Sequence, residues 1–197
     1  GFSSLSNIST NTYIKTANSY PIFNQCNFNN FTAGISSPGK YVYAEAGAPV
    51  FNVCTFKNGY SSGGGAVFNY GANSVFNHCL FENNAAYQGG AVYNGNNGMP
   101  VFYNCVAVGT DVANVISLNN NSNIDIRNSI LWGNNTALMG FGNFFSEIFN
   151  DGTSTVNAHN SCFQQYGTHG INGNTVNQNP RMVNYNDPDG PDNIFFT

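Results

Sequence analysis

The sequence predicts an all-β fold in which the chain winds into a solenoid of stacked, parallel β-strands. A short apolar phrase ending in cysteine recurs along the chain, and a second phrase, Gly-Gly-Ala-Val, follows two of its copies. Tyr, Phe and Val favour strands, whereas the abundant Asn and Gly favour tight turns. A repeat of 24 to 32 residues cannot bury its own apolar face, so successive repeats must stack on one another.

The cysteine phrase sets the register of the repeat. Each clear copy has an aliphatic residue and Phe four and three positions before the cysteine, and the cysteines follow at spacings of 28, 25 and 26 residues. Serine takes the cysteine position in two later copies. The predicted ladder consists of Cys26, Cys54, Cys79, Cys105, Ser129 and Ser161. These copies predict a single solenoid domain over residues 1–197, with about six or seven rungs.

The five cysteines favour a ladder of buried thiols that behave as small hydrophobic residues. Cys162 falls one place out of the ladder. Disulfides between rungs are the alternative, because stacked strands lie about 4.8 Å apart, within reach of a disulfide. A metal site is not indicated, because the sequence contains no Cys-x-x-Cys spacing.

Strand alternation identifies part of the core. Phe56 and Phe81 follow a ladder cysteine by two positions, so they are predicted to point inward with it. For the Val-Phe pairs that precede the cysteine, alternation leaves open which residue points inward.

Asparagines recur at two predicted turns. Asn58 and Asn83 lie four positions after a ladder cysteine, whereas Asn69 and Asn94 follow the Gly-Gly-Ala-Val phrase. Asn tolerates positive φ, and stacked amides can hydrogen-bond to one another. We interpret these residues as turn and ladder structure; an exposed row that binds sugar hydroxyls is the alternative.

Composition excludes several classes of function. Only 7% of the residues are charged, the net charge is −4, and five basic residues cannot form a patch for nucleic acid. No apolar run approaches the roughly 18 residues that span a bilayer. The first residues lack the features of a signal peptide, so we expect a mature or excised piece of a longer secreted protein.

Residues 132–154 interrupt the period and are predicted to leave one rung as a loop excursion. Phe141, Phe144 and Phe145 lie here in a glycine-rich context. They are interpreted either as a flap packed over the coil or as an aromatic platform for a ligand or partner protein.

Near the C-terminus, Asp187, Asp189 and Asp192 surround a glycine turn. Acids at alternate positions can direct several oxygens at one Ca²⁺, and a plain acidic turn is the alternative. Ca²⁺ is the one cofactor that the sequence suggests. No catalytic or organic cofactor-binding residue is predicted, because Gly63-Gly64-Gly65 precedes a strand rather than a helix and no Ser/His/Asp ordering stands out.

Two sets of motifs carry a resemblance to known families. Phe81-Glu-Asn83-Asn and Gly89-Gly90-Ala91-Val92 are similar to the FxxN and GGA(I/V) repeats of polymorphic outer-membrane-protein autotransporters. Residues 128–134, 179–183 and 187–192 resemble bacterial surface proteins of the choice-of-anchor Q type. This resemblance implies a right-handed parallel β-helix, exported to the outer-membrane exterior of Gram-negative bacteria such as the Bacteroidetes, with a separate C-terminal anchoring segment.

The sequence therefore favours a non-catalytic secreted or cell-surface β-helix, an adhesin, structural or binding module with a glycan or protein partner and an unspecified oligomeric state. The alternative is a carbohydrate-active enzyme of the polysaccharide lyase or hydrolase kind. Such an enzyme needs clustered acids or two facing carboxylates, whereas the acids of the regular coils are scattered by the register: Glu45, Glu82, Asp111 and Asp125. Glu82 follows Lys57 by one rung and is expected to pair with it.

Overall fold

The computed structural model describes residues 4–6, 9–10, 14–29, 38–110, 114–134, 147–164 and 171–176. Within these ranges every regular element is a β-strand, and the strands pair in parallel between stacked coils. The predicted all-β, parallel solenoid is therefore confirmed. Its right-handed winding and its number of rungs remain predictions from the sequence.

The strands are short and are numbered here in chain order. They are β1 (Ser4–Ser6), β2 (Ser9–Thr10), β3 (Ile14–Ser19), β4 (Ile22–Asn24), β5 (Asn27–Asn29), β6 (Val42–Gly47), β7 (Val50–Asn52), β8 (Thr55–Lys57), β9 (Tyr60–Ser61), β10 (Val67–Tyr70), β11 (Val75–Asn77), β12 (Leu80–Glu82), β13 (Ala85–Ala86), β14 (Val92–Gly95), β15 (Val101–Tyr103), β16 (Val106–Val108), β17 (Ile116–Leu118), β18 (Asn123–Arg127), β19 (Ile130–Leu131), β20 (Ile148–Asn150), β21 (Thr155–Phe163) and β22 (Ile171–Val176).

The strands stack into three faces. Face 1 consists of β1, β4, β7, β11, β15, β18 and the first part of β21, and face 2 consists of β2, β5, β8, β12, β16, β19 and the last part of β21. Face 3 is a separate six-stranded sheet in the order β20, β17, β14, β10, β6, β3. The short pair β9 and β13 lies between faces 2 and 3 along the chain, and β22 pairs with β21.

Left-handed backbone conformations turn the chain from face to face. The residue before each ladder cysteine or serine has a φ between 50° and 54° in every described coil: Gln25, Val53, His78, Asn104, Asn128 and Asn160. At the entrance to face 3, Gly64 and Gly89 have φ of 64° and 60°. A Cβ on Gly64 would lie 2.0 Å from the carbonyl oxygen of Val67, so this position requires glycine.

Phenylalanine rings stack inside the solenoid in two columns. Consecutive rings of a column lie 4.7 to 5.1 Å apart between centroids, and every ring is buried. The columns are Phe23, Phe51, Phe76 and Phe102 on face 1, and Phe28, Phe56 and Phe81 on face 2. The predicted core positions Phe56 and Phe81 are confirmed. In each Val-Phe pair the Phe points inward, and burying it contributes roughly 1.5 to 3 kcal/mol.

The cysteine ladder lies beside these rings. All five cysteines are thiols without a disulfide, four are buried, and Cys162 is half-buried outside the ladder. The Sγ of Cys79 donates to the Phe51 carbonyl of the preceding coil at 3.4 Å, and Cys105 donates to Phe76 at 3.3 Å. Buried Ser129 continues the ladder, because its Oγ accepts a hydrogen bond from the Cys105 N–H at 3.1 Å. The structure thus agrees with the predicted ladder of buried thiols.

The recurring asparagines also join coil to coil. Asn69 and Asn94 are fully buried, and the Asn69 amide donates to the Asn94 side-chain oxygen at 2.6 Å. Asn58 and Asn83 adopt φ of 60° and 51° at the corner after face 2. These contacts support the interpretation of both pairs as turn and ladder structure.

The predicted excursion over residues 132–154 is described in part. Residues 132–134 remain in the coil, since the Trp132 N–H donates to the Ala107 carbonyl of the preceding coil at 3.1 Å. Residues 147–154 are also in the coil, because β20 pairs in register with β17. The rest of the predicted excursion lies outside the described residues.

Val53 provides a test of the first corner. A β-branched residue is strained at its φ of 54°, which Asn adopts at the equivalent positions 104 and 128. We expect Val53→Asn to raise the free energy of unfolding by about 1 kcal/mol in urea titrations, because little apolar burial is lost at this exposed site. Val50→Asn, a control on strand β7, should bring no such gain. An unchanged or lower unfolding midpoint for Val53→Asn would contradict the strain argument.

The ladder cysteines should not react with thiol reagents in the folded protein. The four ladder thiols are buried, so a reagent cannot reach them in the folded protein, and burial also raises the pKa of the Cys79 thiol well above its ordinary value. A hydrogen bond with Cys79 lowers the pKa of Cys54, but that thiol is fully buried as well. We expect a thiol reagent at pH 8 to modify Cys162 alone in the native protein and the four ladder cysteines only after denaturation, as read by mass spectrometry. Cys162→Ser should then be unreactive when folded. Labelling of a ladder cysteine as fast as Cys162, or a native disulfide, would refute this.

Candidate functional site

A column of aromatic side chains lies on the outer surface of face 3. Tyr43, Phe68 and Tyr93 occupy equivalent positions of β6, β10 and β14, and they point outward because the valine before each of them points into the core. The rings of Tyr43 and Phe68 stack at 5.4 Å and 8°, and those of Phe68 and Tyr93 at 4.3 Å and 4°. We call these three residues the aromatic ladder; all three are half-buried.

Neighbouring residues contact both ends of the aromatic ladder. The Lys15 ammonium lies 5.2 Å from the centroid of the Tyr43 ring, a cation–π contact, and 3.1 Å from the Glu45 carboxylate. At the opposite end the Tyr93 ring lies across Gly95, where a Cβ would come within 2.8 Å of a ring carbon. Glycine at this strand position therefore makes room for the ring.

Polar groups surround the Tyr93 end. Partial burial alone would raise the pKa of Asp151. Its carboxylate accepts hydrogen bonds from the Asn120 N–H at 2.7 Å and from Thr153, and these bonds lower the pKa, which keeps the carboxylate ionised. Burial, the neighbouring Tyr70 and Asp151 raise the pKa of Tyr93, so its hydroxyl remains a donor at neutral pH. The site thus combines apolar ring edges with phenol donors and one carboxylate acceptor.

In the part of the chain that the structure describes, the other acids of the strands are ion-paired, whereas Asp111 lies outside the described residues. Lys57 Nζ lies 2.8 Å from Glu82 Oε2 across β8 and β12, which confirms the expected cross-rung pair. Arg127 contacts Asp125 at 2.6 Å and lies 5.6 Å from the Tyr103 ring. These carboxylates neutralise neighbouring basic side chains and form no facing dyad.

Glu147 is an acid in a core position, which the sequence did not reveal. Glu147 occupies the position just before a strand of face 3 that Ala91 and Val115 occupy in the preceding coils. Only 1% of Glu147 is exposed. Its carboxylate accepts a hydrogen bond from the Asn134 amide at 2.9 Å. Burial raises the pKa of Glu147 to about 8, so the carboxyl is largely protonated at neutral pH.

The site residues predicted from the sequence are not those that the structure brings together. Phe141, Phe144 and Phe145, and the suggested calcium ligands Asp187, Asp189 and Asp192, lie outside the described residues and stay predictions. Among the described residues, no group of three His, Cys, Asp or Glu side chains is placed to hold a metal. The aromatic ladder had a signal in the sequence, because an aromatic residue follows the valine of Tyr41-Val42, Ala66-Val67 and Ala91-Val92.

Comparisons with known proteins give no further guide. No protein-family model, no curated protein and no solved structure matches this chain. Within the described ranges, no helix is long and apolar enough to cross a membrane.

Glu147 should make stability depend on pH. The folded pKa of about 8 exceeds the ordinary 4.5, so between these pH values the unfolded chain releases a proton that the folded protein retains, and stability falls as pH rises. We expect Glu147→Gln to remove this fall, so that the variant gains up to roughly 4 kcal/mol over the wild type between pH 5 and pH 8 in urea titrations. Glu45→Gln, at the surface, is the control. Parallel pH profiles for wild type and Glu147→Gln would disprove the assignment.

Proposed function

We propose that this protein is a non-catalytic binding module, a secreted or cell-surface β-solenoid that contacts a glycan or protein partner through its outer surface, as an adhesin does. The observation that carries the proposal is the aromatic ladder, with Tyr70 beside it. The solenoid core is already filled by two Phe columns. Three further rings on the outside are thus not needed to close the coil, and clustered outward aromatics are typical of binding surfaces.

The chemistry of the ladder suits recognition. Tyrosine presents a rigid apolar ring with a polar hydroxyl, so it binds partners with little loss of conformational entropy. Tyr70 is 38% exposed next to Phe68, at 6.3 Å between ring centroids. A partner that covers this surface would gain apolar burial together with hydrogen bonds to the phenols and to Asp151.

The location is proposed from the sequence motifs. The resemblance to choice-of-anchor Q and polymorphic outer-membrane proteins supports export and display outside the outer membrane of a Bacteroidetes-like bacterium. A low content of charge and a rod of stacked coils suit a displayed surface that acts through many weak contacts.

A carbohydrate-active enzyme is the less favoured alternative. Hydrolysis of a glycosidic bond uses two carboxylates that face each other across the bond, about 5 to 9.5 Å apart. Glu45, Glu82 and Asp125 each pair instead with a basic side chain. These ion pairs favour a binding role for the described coils.

A substitution in the middle of the ladder tests this proposal. We expect wild-type protein to bind members of a glycan array or immobilised mucin, and Phe68→Ser to weaken that binding about tenfold, since a central aromatic contact is worth roughly 1 to 2 kcal/mol. Tyr87→Ser, which changes a 52% exposed tyrosine outside the ladder, should bind like the wild type. Unchanged binding by Phe68→Ser, or new reducing ends released from a glycan, would count against the proposal.

A further inference from the structure

A second regular column lies on the outer surface of face 1. In β4, β7 and β11 the middle residue, Phe, points inward, and the residues on either side of it point outward and are half-buried. The register aligns these outward residues one above the other without a bulge. The resulting amide stripe consists of Asn24, Asn52 and Asn77 beside Ile22, Val50 and Val75.

The amides of the stripe form a continuous hydrogen-bonded row. Asn52 donates to Asn24 at 2.8 Å and accepts from Asn77 at 2.8 Å. A primary amide has two N–H donors and a carbonyl oxygen with two lone pairs. The row therefore uses one donor and one acceptor site of Asn52 and leaves the second of each for a ligand. The row also fixes the orientation of the amide, so a ligand meets a pre-organised array.

The stripe repeats with the spacing of stacked strands, about 4.8 Å. Each repeat offers an aliphatic side chain next to an amide, and none of the six side chains is charged. One coil beyond Asn77 the asparagine column continues with Tyr103, and one coil further with Arg127. The Arg127 side chain forms an ion pair with Asp125. A surface of this kind recognises a ligand that repeats polar groups and apolar patches along a line and that carries no charge.

We propose that the amide stripe binds an uncharged, extended linear polysaccharide whose chain runs parallel to the solenoid axis. The aliphatic column packs against the C–H groups of the sugar rings, and the amides exchange hydrogen bonds with their hydroxyls. The periodic array favours a polymer over a globular protein, and the lack of a basic side chain in the stripe disfavours acidic polysaccharides. The inference goes beyond the aromatic ladder, which lies on face 3, so that either proposal can fail without the other.

Affinity electrophoresis and pull-down with defined polysaccharides test this inference. The probes are cellulose, chitin, soluble β-glucan and mannan as uncharged chains, and alginate and polygalacturonate as acidic ones. We expect wild-type protein to bind at least one uncharged chain and neither acidic chain. Asn77→Asp places a charge in the row and removes its donor to Asn52, so it should weaken binding about tenfold or more.

Asn58→Asp is the matched control. Asn58 makes the same kind of amide contact, to Asn29 at 3.0 Å, on the corner after face 2. The Asn58→Asp variant loses an equivalent hydrogen bond away from the stripe, so this variant should bind the polysaccharide as the wild type does. Equal binding by wild type and Asn77→Asp, preference for the acidic chains, or no binding to any uncharged chain would overturn the inference. So would an Asn77→Asp protein that changes only its oligomeric state, since the stripe would then be a contact between copies.

A footprint on the unmodified protein gives a second test, which does not depend on the folding of a variant. Tyr103 continues the asparagine column on face 1, whereas Tyr87 lies after β13, outside face 1. With saturating uncharged polysaccharide, the ratio of Tyr103 oxidation to Tyr87 oxidation by hydroxyl radicals should fall, because the bound chain shields Tyr103 whereas scavenging of radicals by the polysaccharide affects both tyrosines alike. Protection of Tyr87 alone, or of neither tyrosine in the presence of bound polysaccharide, would place the ligand elsewhere and overturn the inference.

Discussion

Backbone hydrogen bonding between successive coils is the interaction on which the whole structure depends. The strands are too short to form any stable structure alone, and their N–H and C=O groups find partners one coil away, as in the bonds from Val75 to Pro49 and from Val101 to Ser74, both 2.9 Å. Because buried backbone groups must be paired, the coils are locked in register. Each residue then lies directly above its equivalent in the next coil.

This register turns similar residues into columns. Inside, it produces the Phe stacks and the thiol ladder, in which each side chain meets its own kind at the strand spacing. Outside, it produces the aromatic ladder and the amide stripe by the same geometry. The residue types in the columns change toward the later coils. Ala107 takes the position of Phe81, Asp125 takes that of Val101, and Glu147 occupies a core position. Chemistry that differs from coil to coil is concentrated there.

The two outer columns give the rod two chemically distinct sides. Face 3 offers aromatic edges with phenols and a carboxylate at one end, and face 1 offers an uncharged row of amides and aliphatic side chains. The described acids of the strands are held by neighbouring basic residues. Such a molecule acts by extended contact, in which each coil adds a small increment and the number of coils sets the total.

The sequence by itself determined the parallel solenoid and the Cys/Ser ladder, because both depend on residue types that recur at a fixed spacing. It also indicated Phe56 and Phe81 as core, since alternation from a ladder cysteine is local. Only the tertiary structure decided that Phe rather than Val points inward in each Val-Phe pair, that the aromatic ladder faces outward, and that Glu147 is buried. These outcomes depend on where each corner turns the chain, and the corners are set by contacts between coils rather than by neighbours in the sequence.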